Sequence, residues 1–399
     1  MHASGGSVQL STARDTLTSQ QTVHYDVVFV GGGLHHALAA LALRVEHPRL
    51  RIALLEAQTL CGNHTWCFHA GDRPPQVGAW FGRLPLLEWP GYDVRFPGFE
   101  RQLHLPYHCL SAPALRDTLL AAFAGAEHCS LREHCPVDEV SADEVRCADG
   151  SIYRAGRVFE ARGPGDPSAA AGYQKFVGLE LRVASGRVPR RPVLMDARVP
   201  QHGDFRFFYL LPLAPDRVLV EDTRFSRTPD LDADAAARAV RDYARRAGLT
   251  IDEELRTEQG VLPMPWRGAP PAPQAPVQLG YAGGWFHPAT GYSMPCALAV
   301  AQVLATHWQA PDAGLGALWR SHRRQHRFAR ALNWLAFNCF EGDLMWHPFA
   351  RFYRLPSETI GRFYALRMTT QDRLRILLGR PPAGFGSRWP WGRSAPLAP

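Results

Sequence analysis

The stretch from Tyr25 to Glu56 constrains this chain more than any other. Asp26-Val27-Val28-Phe29-Val30 reads as a short apolar strand, and Gly31-Gly32-Gly33 breaks it just before an alanine- and leucine-rich segment long enough for a helix. A second apolar run, Arg51 to Leu55, stops at Glu56. Strand, turn, helix and strand together fit a βαβ unit of roughly 30 residues, which requires a parallel sheet covered by helices. The expected fold class is α/β.

Such a turn suits a pyrophosphate. Amides at a helix N-terminus bind phosphate oxygens when no Cβ blocks the backbone, and Gly31, Gly32 and Gly33, followed by Leu34, offer that approach. Glu56, about 25 residues beyond Gly31 and followed by Ala57, stands where an acid holds the adenosine ribose hydroxyls. An acid there, rather than a base, disfavours a 2′-phosphate and points to FAD or NAD. His36 occupies the place of the third glycine in the usual pattern, while Ala37, Ala39 and Ala40 keep the helix slim. A glycine turn of any α/β protein is the plainer alternative, and the acid at the second strand's end argues against it.

At 399 residues the chain is too long for a single core. Hydrophobic residues at 46% and charged residues at 20% describe a folded chain. Its net charge of +7 suits nucleic acid, an anionic membrane or an acidic ligand, but no zinc-finger, leucine-zipper or RNA-recognition signature goes with it, so no nucleic-acid partner is expected. Eight cysteines form no CxxC pair, as in a reduced cytoplasmic protein, and His128-Cys129 and His134-Cys135 lack zinc-ligand spacing, so no metal is expected. Residues 1–22 lack the apolar core of a secretory signal and read as a flexible leader. No apolar run reaches the about 18 residues of a transmembrane helix, so any membrane contact should be peripheral.

Past Pro164-Gly165 the pattern changes to strands. Asp204 to Leu213 and Arg217 to Phe225, joined by Pro215-Asp216, predict a hairpin in an antiparallel sheet. Residues 231–247 are helical in period, Val277 to Tyr281 is a short strand before a glycine-rich turn, and helices follow beyond 296. The expected organisation is a Rossmann-like dinucleotide-binding domain over 23–165 with a small insertion around 62–108, and an interleaved antiparallel β-sheet substrate domain over 166–255. A return to the first domain over 256–310, C-terminal helices over 311–380 and a loose tail over 381–399 complete it.

Several segments resemble bacterial lycopene beta-cyclases, in that family's order. They are Gly62-Asn63-His64-Thr65-Trp66, Trp89-Pro90-Gly91-Tyr92, Gln174-Lys175-Phe176-Val177-Gly178-Leu179-Glu180, Leu194-Met195-Asp196-Ala197, Val220-Glu221-Asp222-Thr223 and Phe286-His287-Pro288-Ala289-Thr290-Gly291-Tyr292-Ser293-Met294-Pro295. Arg351-Phe352-Tyr353 and Arg362-Phe363-Tyr364 extend the similarity across residues 23–383. The resemblance implies a fold like that of aromatic flavin hydroxylases, with FAD, active when reduced and with NAD(P)H as the expected reductant, beneath a β-sheet roof. The Gly-Asp pair of hydroxylases is absent from Gly280-Tyr281-Ala282-Gly283-Gly284, and Ala161-Arg162-Gly163 replaces their mid-chain Asp-Gly, which argues against a monooxygenase. A prenyl-chain reductase and a non-catalytic prenyl-binding escort protein are the other readings of such a fold. The implied substrates are lycopene and γ-carotene taken from a bilayer, by a cytoplasmic protein resting on the membrane's inner face.

Closing an end ring on lycopene protonates a terminal alkene, lets the neighbouring double bond attack the cation, and removes a different proton. No electrons are consumed, and the step calls for an acid of raised pKa in an apolar pocket. Glu221 and Asp222 adjoin in a predicted strand and so face opposite ways. Glu221, sharing its face with Leu219, Thr223 and Phe225, is expected to be the acid, and Asp222, beside Arg224, an ionised support. Two solvated hairpin acids are the alternative without the resemblance, and the reduced flavin is an alternative proton donor. Gly283 and the turn His287, Pro288, Thr290, Gly291 and Tyr292 are expected against the flavin pyrimidine edge. Trp66, Trp89 and Trp285 are expected along a polyene tunnel, and the basic helix 320–330 with Trp334, Leu335, Phe337, Trp389 and Trp391 on anionic lipid.

Overall fold

Strands buried on both faces carry no polar alternation, and Val27–Val30 and Ile52–Leu55 are buried at every position. In the computed structural model they lie at the middle of a five-stranded sheet. The order is Val277–Gln278, Val158–Glu160, Val27–Val30, Ile52–Leu55 and Ser130–Arg132, all parallel. The structure describes residues 24–163, 171–184 and 186–388; the expected leader, the Pro164-Gly165 boundary, Trp389 and Trp391 lie outside the described residues.

Alternate residues of the central strands serve two cores. Val27, Phe29, Ile52 and Leu54 pack under the helices Leu34–Glu46 and Met294–Thr306, where fully buried Ala37, Ala39 and Ala40 keep the first helix slim. Val28, Val30, Ala53 and Leu55 face the four-stranded sheet of His24–Tyr25, Ile152–Ala155, Glu144–Cys147 and Val137–Val140. The strand expected over Val277 to Tyr281 ends at Gln278, because Gly280 turns the chain at φ +62°.

The second layer is a seven-stranded sheet in the order Ile251–Pro265, Ala171–Val183, Arg217–Ser226, Phe205–Ala214, Val193–Asp196, Tyr92–Phe96 and Phe99–Leu103. Val193–Asp196 and Tyr92–Phe96 pair parallel and every other pair is antiparallel. The expected hairpin is its centre. Two strands of the segment around 62–108 form its far edge, and Ile251–Pro265 runs across the expected 255/256 boundary. One face carries the helix Ala233–Arg246; the other carries an aromatic core shared with the C-terminal helices. These are the long helix Pro311–Cys339, which starts well before the basic stretch, and the short Trp346–Phe352, Ser357–Tyr364 and Thr370–Leu377. Among the described residues no helix is long and apolar enough to cross a membrane.

Candidate active site

One cavity of about 780 Å³ runs from the glycine turn to the underside of the seven-stranded sheet. At its first end Gly31 has φ +93°, and a Cβ there would lie 2.9 Å from the Ala161 carbonyl oxygen. Gly31, Gly33, Leu34, Glu56 and Ala57 line the wall, and a Cβ on Gly33 would meet nothing within 4 Å. Gly32 is turned away: its N–H donates to Glu56 Oε2 at 2.6 Å, and a Cβ would collide with Leu60 and Glu56. Gln58 N–H donates to Glu56 Oε1 at 2.9 Å, which fixes the carboxylate beside the turn. His36, in place of the third glycine, is fully buried and donates from Nδ1 to the Gly31 carbonyl at 2.7 Å, bracing the turn from below. Burial lowers its pKa to about 4, so it stays neutral.

The return segment reaches the same cavity. Thr290, Gly291 and Tyr292 line it, and Tyr281 donates its hydroxyl to the Gly291 carbonyl. The expectation that Gly283, His287 and Pro288 join them is corrected by their placement outside the cavity wall. Gly283 closes a tight turn in which a Cβ would sit 2.1 Å from the Gln278 carbonyl oxygen. His287, wholly buried, accepts the Ala289 N–H at Nδ1 (3.2 Å) and donates from Nε2 to the Phe363 carbonyl (3.1 Å). Pro288 offers its carbonyl to Asn333 Nδ2 at 2.7 Å. They hold the loop against the C-terminal helices.

Above the cavity, strand register builds the polar part of the roof. Tyr209, Glu221, Gly178 and Glu258 lie opposite one another on four adjacent strands, so they form one row across the sheet. Tyr209, Glu221 and Glu258 line the cavity. Gly178 leaves room between the two acids, since a Cβ there would lie 3.0 Å from Glu258 Cγ and 3.2 Å from Leu219 Cδ1. Glu221 is open only toward the cavity, and its carboxyl, hydrogen-bonded by the Thr223 hydroxyl, is pushed up to about 8 by burial and by the charge of Glu258. Glu258 is also raised by burial, against Arg256 (2.8 Å) and Thr65 Oγ1 (2.9 Å), which bind its Oε2. Arg256 beside Glu258 favours the charged form there, which directs a proton shared by the pair toward Glu221.

Asp222 lies on the other face, away from the cavity. Arg206 grips it through Nε (2.8 Å) and Nη2 (2.7 Å), and Arg224 adds a contact at 3.2 Å. Sequence reading missed Glu258, because its nearness to Glu221 depends on which strand lies beyond Gly178. Of its three tryptophans, two lie elsewhere. Trp66 lines the cavity, whereas Trp89 stacks behind Tyr107 at 6.1 Å and Trp285 is core, donating to the Gln278 carbonyl. Tyr107, Tyr209, Tyr292 and Tyr364 supply most of the aromatic wall.

Residues 26–388 match the lycopene cyclase protein family. The chain belongs to that family. A lycopene beta-cyclase of Pseudescherichia vulneris is 38% identical over 382 residues, covering 91% of this chain and 96% of that protein. One from Paracoccus sp. (strain N81106 / MBIC 01143) is 40% identical with the same coverage. Solved structures of low sequence identity share the fold. PqsL of Pseudomonas aeruginosa, a probable FAD-dependent monooxygenase, superimposes with a TM-score of 0.55 at 18% identity, over 78% of this chain and 95% of that one. A geranylgeranyl bacteriochlorophyll reductase-like protein of Thermoplasma acidophilum gives 0.58 at 13%, over 89% and 96%.

Proposed function

We propose that this family member is a lycopene beta-cyclase that closes β-ionone rings on both lycopene and γ-carotene, without net oxidation, beside a reduced FAD charged by NAD(P)H. The observation that carries this reading is the buried Glu221–Gly178–Glu258 row, which faces the same cavity as the glycine turn. Gly31, Gly33 and Glu56 fit the pyrophosphate and ribose of a dinucleotide, since Gly31 and Gly33 leave the turn without side chains and Glu56 is locked beside it. Bound reduced flavin would supply negative charge next to a developing carbocation.

The protein's own residues supply the remainder. Glu221, protonated at neutral pH, delivers its proton to the terminal alkene carbon; the tyrosine faces and Trp66 stabilise the cation and exclude water. Ring closure moves the cation to a ring carbon, whose neighbour returns one proton to the carboxylate pair, so atoms and electrons balance. Arg256 keeps Glu258 anchored throughout. Asp222, on the sheet's other face, pairs with Arg206 and stabilises the strand that carries Glu221.

The test is anaerobic incubation of purified protein with FAD, a reductant and lycopene in liposomes, followed by chromatography with mass detection. Cyclic products of unchanged mass are expected. An added oxygen would mark a monooxygenase and an added pair of hydrogens a reductase, and untouched lycopene with bound reduced flavin would sink the reading. Glu221→Gln should bind FAD normally and form no rings.

A further inference from the structure

A second cavity of about 350 Å³ lies between the long helix and the C-terminal helices. Leu332, Ala336, Phe337, Phe349, Phe352 and Ile376 shape it. It shares Thr290 and Tyr364 with the first cavity, so one layer of side chains separates the two. Tyr364 is the larger part of that partition. Its ring packs 4.8 Å from His69 on one side and 6.3 Å from Phe352 on the other, and its hydroxyl meets that of Tyr353 at 2.6 Å.

The chemistry of the second cavity restricts its occupant, because each polar side chain in its wall is engaged elsewhere in the protein. Asn333 Nδ2 donates to the carbonyls of Pro265 (3.0 Å) and Pro288 (2.7 Å). Arg351 holds the Leu378 carbonyl, Arg375 lies against Thr359 and Asp372, and the Thr290 hydroxyl accepts the Tyr292 N–H. With these groups engaged, the rest of the wall is aliphatic and aromatic, which suits a ligand without polar groups. The first cavity, at about 780 Å³, has the size of a single-ligand site, yet on the reading above it must hold a dinucleotide as well as a substrate end group. A long polyene therefore needs room beyond it.

We propose that the second cavity is a binding subsite for the distal hydrocarbon chain of the substrate, which passes the Tyr364 partition while its end group sits beneath Glu221. This inference rests on the cyclase reading. The outer rim agrees with it: Leu377 and Phe385 line the cavity yet are 49% and 43% exposed, and Leu374 and Leu378, one turn before and one residue after Leu377, are 48% and 64% exposed. Large apolar side chains clustered at a cavity mouth offer an unbroken path for a hydrocarbon leaving a bilayer.

Ala336→Trp fills the second cavity from the long helix without touching the first, and Ala336→Leu fills it partly. Each variant, loaded with FAD, is given lycopene in phosphatidylcholine vesicles or a short acyclic isoprenoid that carries the same end group but cannot span both cavities. Binding is read without reductant from the visible absorbance shift of the polyene, and cyclisation with reductant by chromatography. Ala336→Trp should lower lycopene binding and cyclisation at least tenfold and Ala336→Leu by less, with flavin absorbance, melting temperature and short-substrate conversion unchanged. Wild-type lycopene binding in both variants, or equal loss of the short substrate, would overturn the proposal. If the wild-type protein binds lycopene and closes no ring, the cyclase reading fails while the binding series still decides this one.

Discussion

A carboxyl that must carry a proton at neutral pH needs surroundings where ionisation is costly, and Glu221 has burial and the neighbouring Glu258 to provide them. Its folded pKa of about 8 lies above the usual 4.5, so the folded state binds the extra proton between these values. Stability from this group is complete below 4.5 and is lost as pH rises through 8. Glu221→Gln, neutral at every pH, should therefore be more stable than the parent at pH 8, by about 4 kcal/mol, and nearly match it near pH 4.5. Paired melting curves at the two pH values check this, and a pH-independent difference would show that Glu221 is not held protonated. Tyr209, in the same row, is expected to act through its ring: Tyr209→Leu should lower turnover about tenfold or more, as loss of a buried cation–π contact implies, while Tyr209→Phe keeps most of it. That Glu221 and Asp222 face opposite ways was legible from strand alternation, while the choice of Glu221 as the acid drew on the resemblance. Glu258 was not legible, because no local pattern says that Ile251–Pro265 pairs with Ala171–Val183.

At the scale of the elements, the roof's outer face holds Arg206, Asp222 and Arg224 in one cluster, with Asp222 fully buried against the Arg206 guanidinium. Removing one partner of a buried ion pair leaves the other uncompensated, which costs about 3–5 kcal/mol. Asp222→Ala should thus unfold at clearly lower urea concentration than the parent, while the folded fraction retains its FAD and turns over. Full stability with abolished turnover would instead place Asp222 in the chemistry. The strand Arg217–Ser226 and its hairpin partner were readable from alternation and the Pro215-Asp216 turn, as was the βαβ fingerprint from its glycines and acid. The loop from Gly280 to Tyr292 was read less well, since a His-Pro-Ala-Thr-Gly turn before an apolar helix does not reveal which of its residues face outward. Tertiary contacts decide that: Phe363 and Asn333, far along the chain, claim His287 and Pro288 for packing and leave Thr290 and Gly291 at the cavity.

For the whole molecule, the two large sheets are stitched by segments distant in sequence. Within the seven-stranded sheet Tyr92–Phe96 joins Val193–Asp196, and at the ends of the helices over the five-stranded sheet His47 Nε2 donates to the Ala305 carbonyl at 2.7 Å; sequence order therefore conveys the layers better than their seams. The chain also holds histidines that burial keeps neutral, with pKa values of about 3 for His35, 4 for His36, 3 for His287 and 2 for His326. Each is below the unfolded value of 6.5, so the unfolded state binds more protons as pH falls, and folding stability declines below about pH 6.5. Every such group contributes a slope of about 1.4 kcal/mol per pH unit down to about pH 4, and Glu221, protonated in the fold, offsets one of them above pH 4.5. Urea unfolding at pH 7, 6 and 5 should show this steep acid loss, and a flat profile would mean that these histidines are not buried as neutral rings. His326 gives the sharper test, since neither of its ring nitrogens has a hydrogen-bond partner among the described residues and its ring packs beside Phe286 and His322. His326→Phe should reduce the slope by about one proton between pH 6 and 5, and an unchanged slope would assign the proton uptake to other groups.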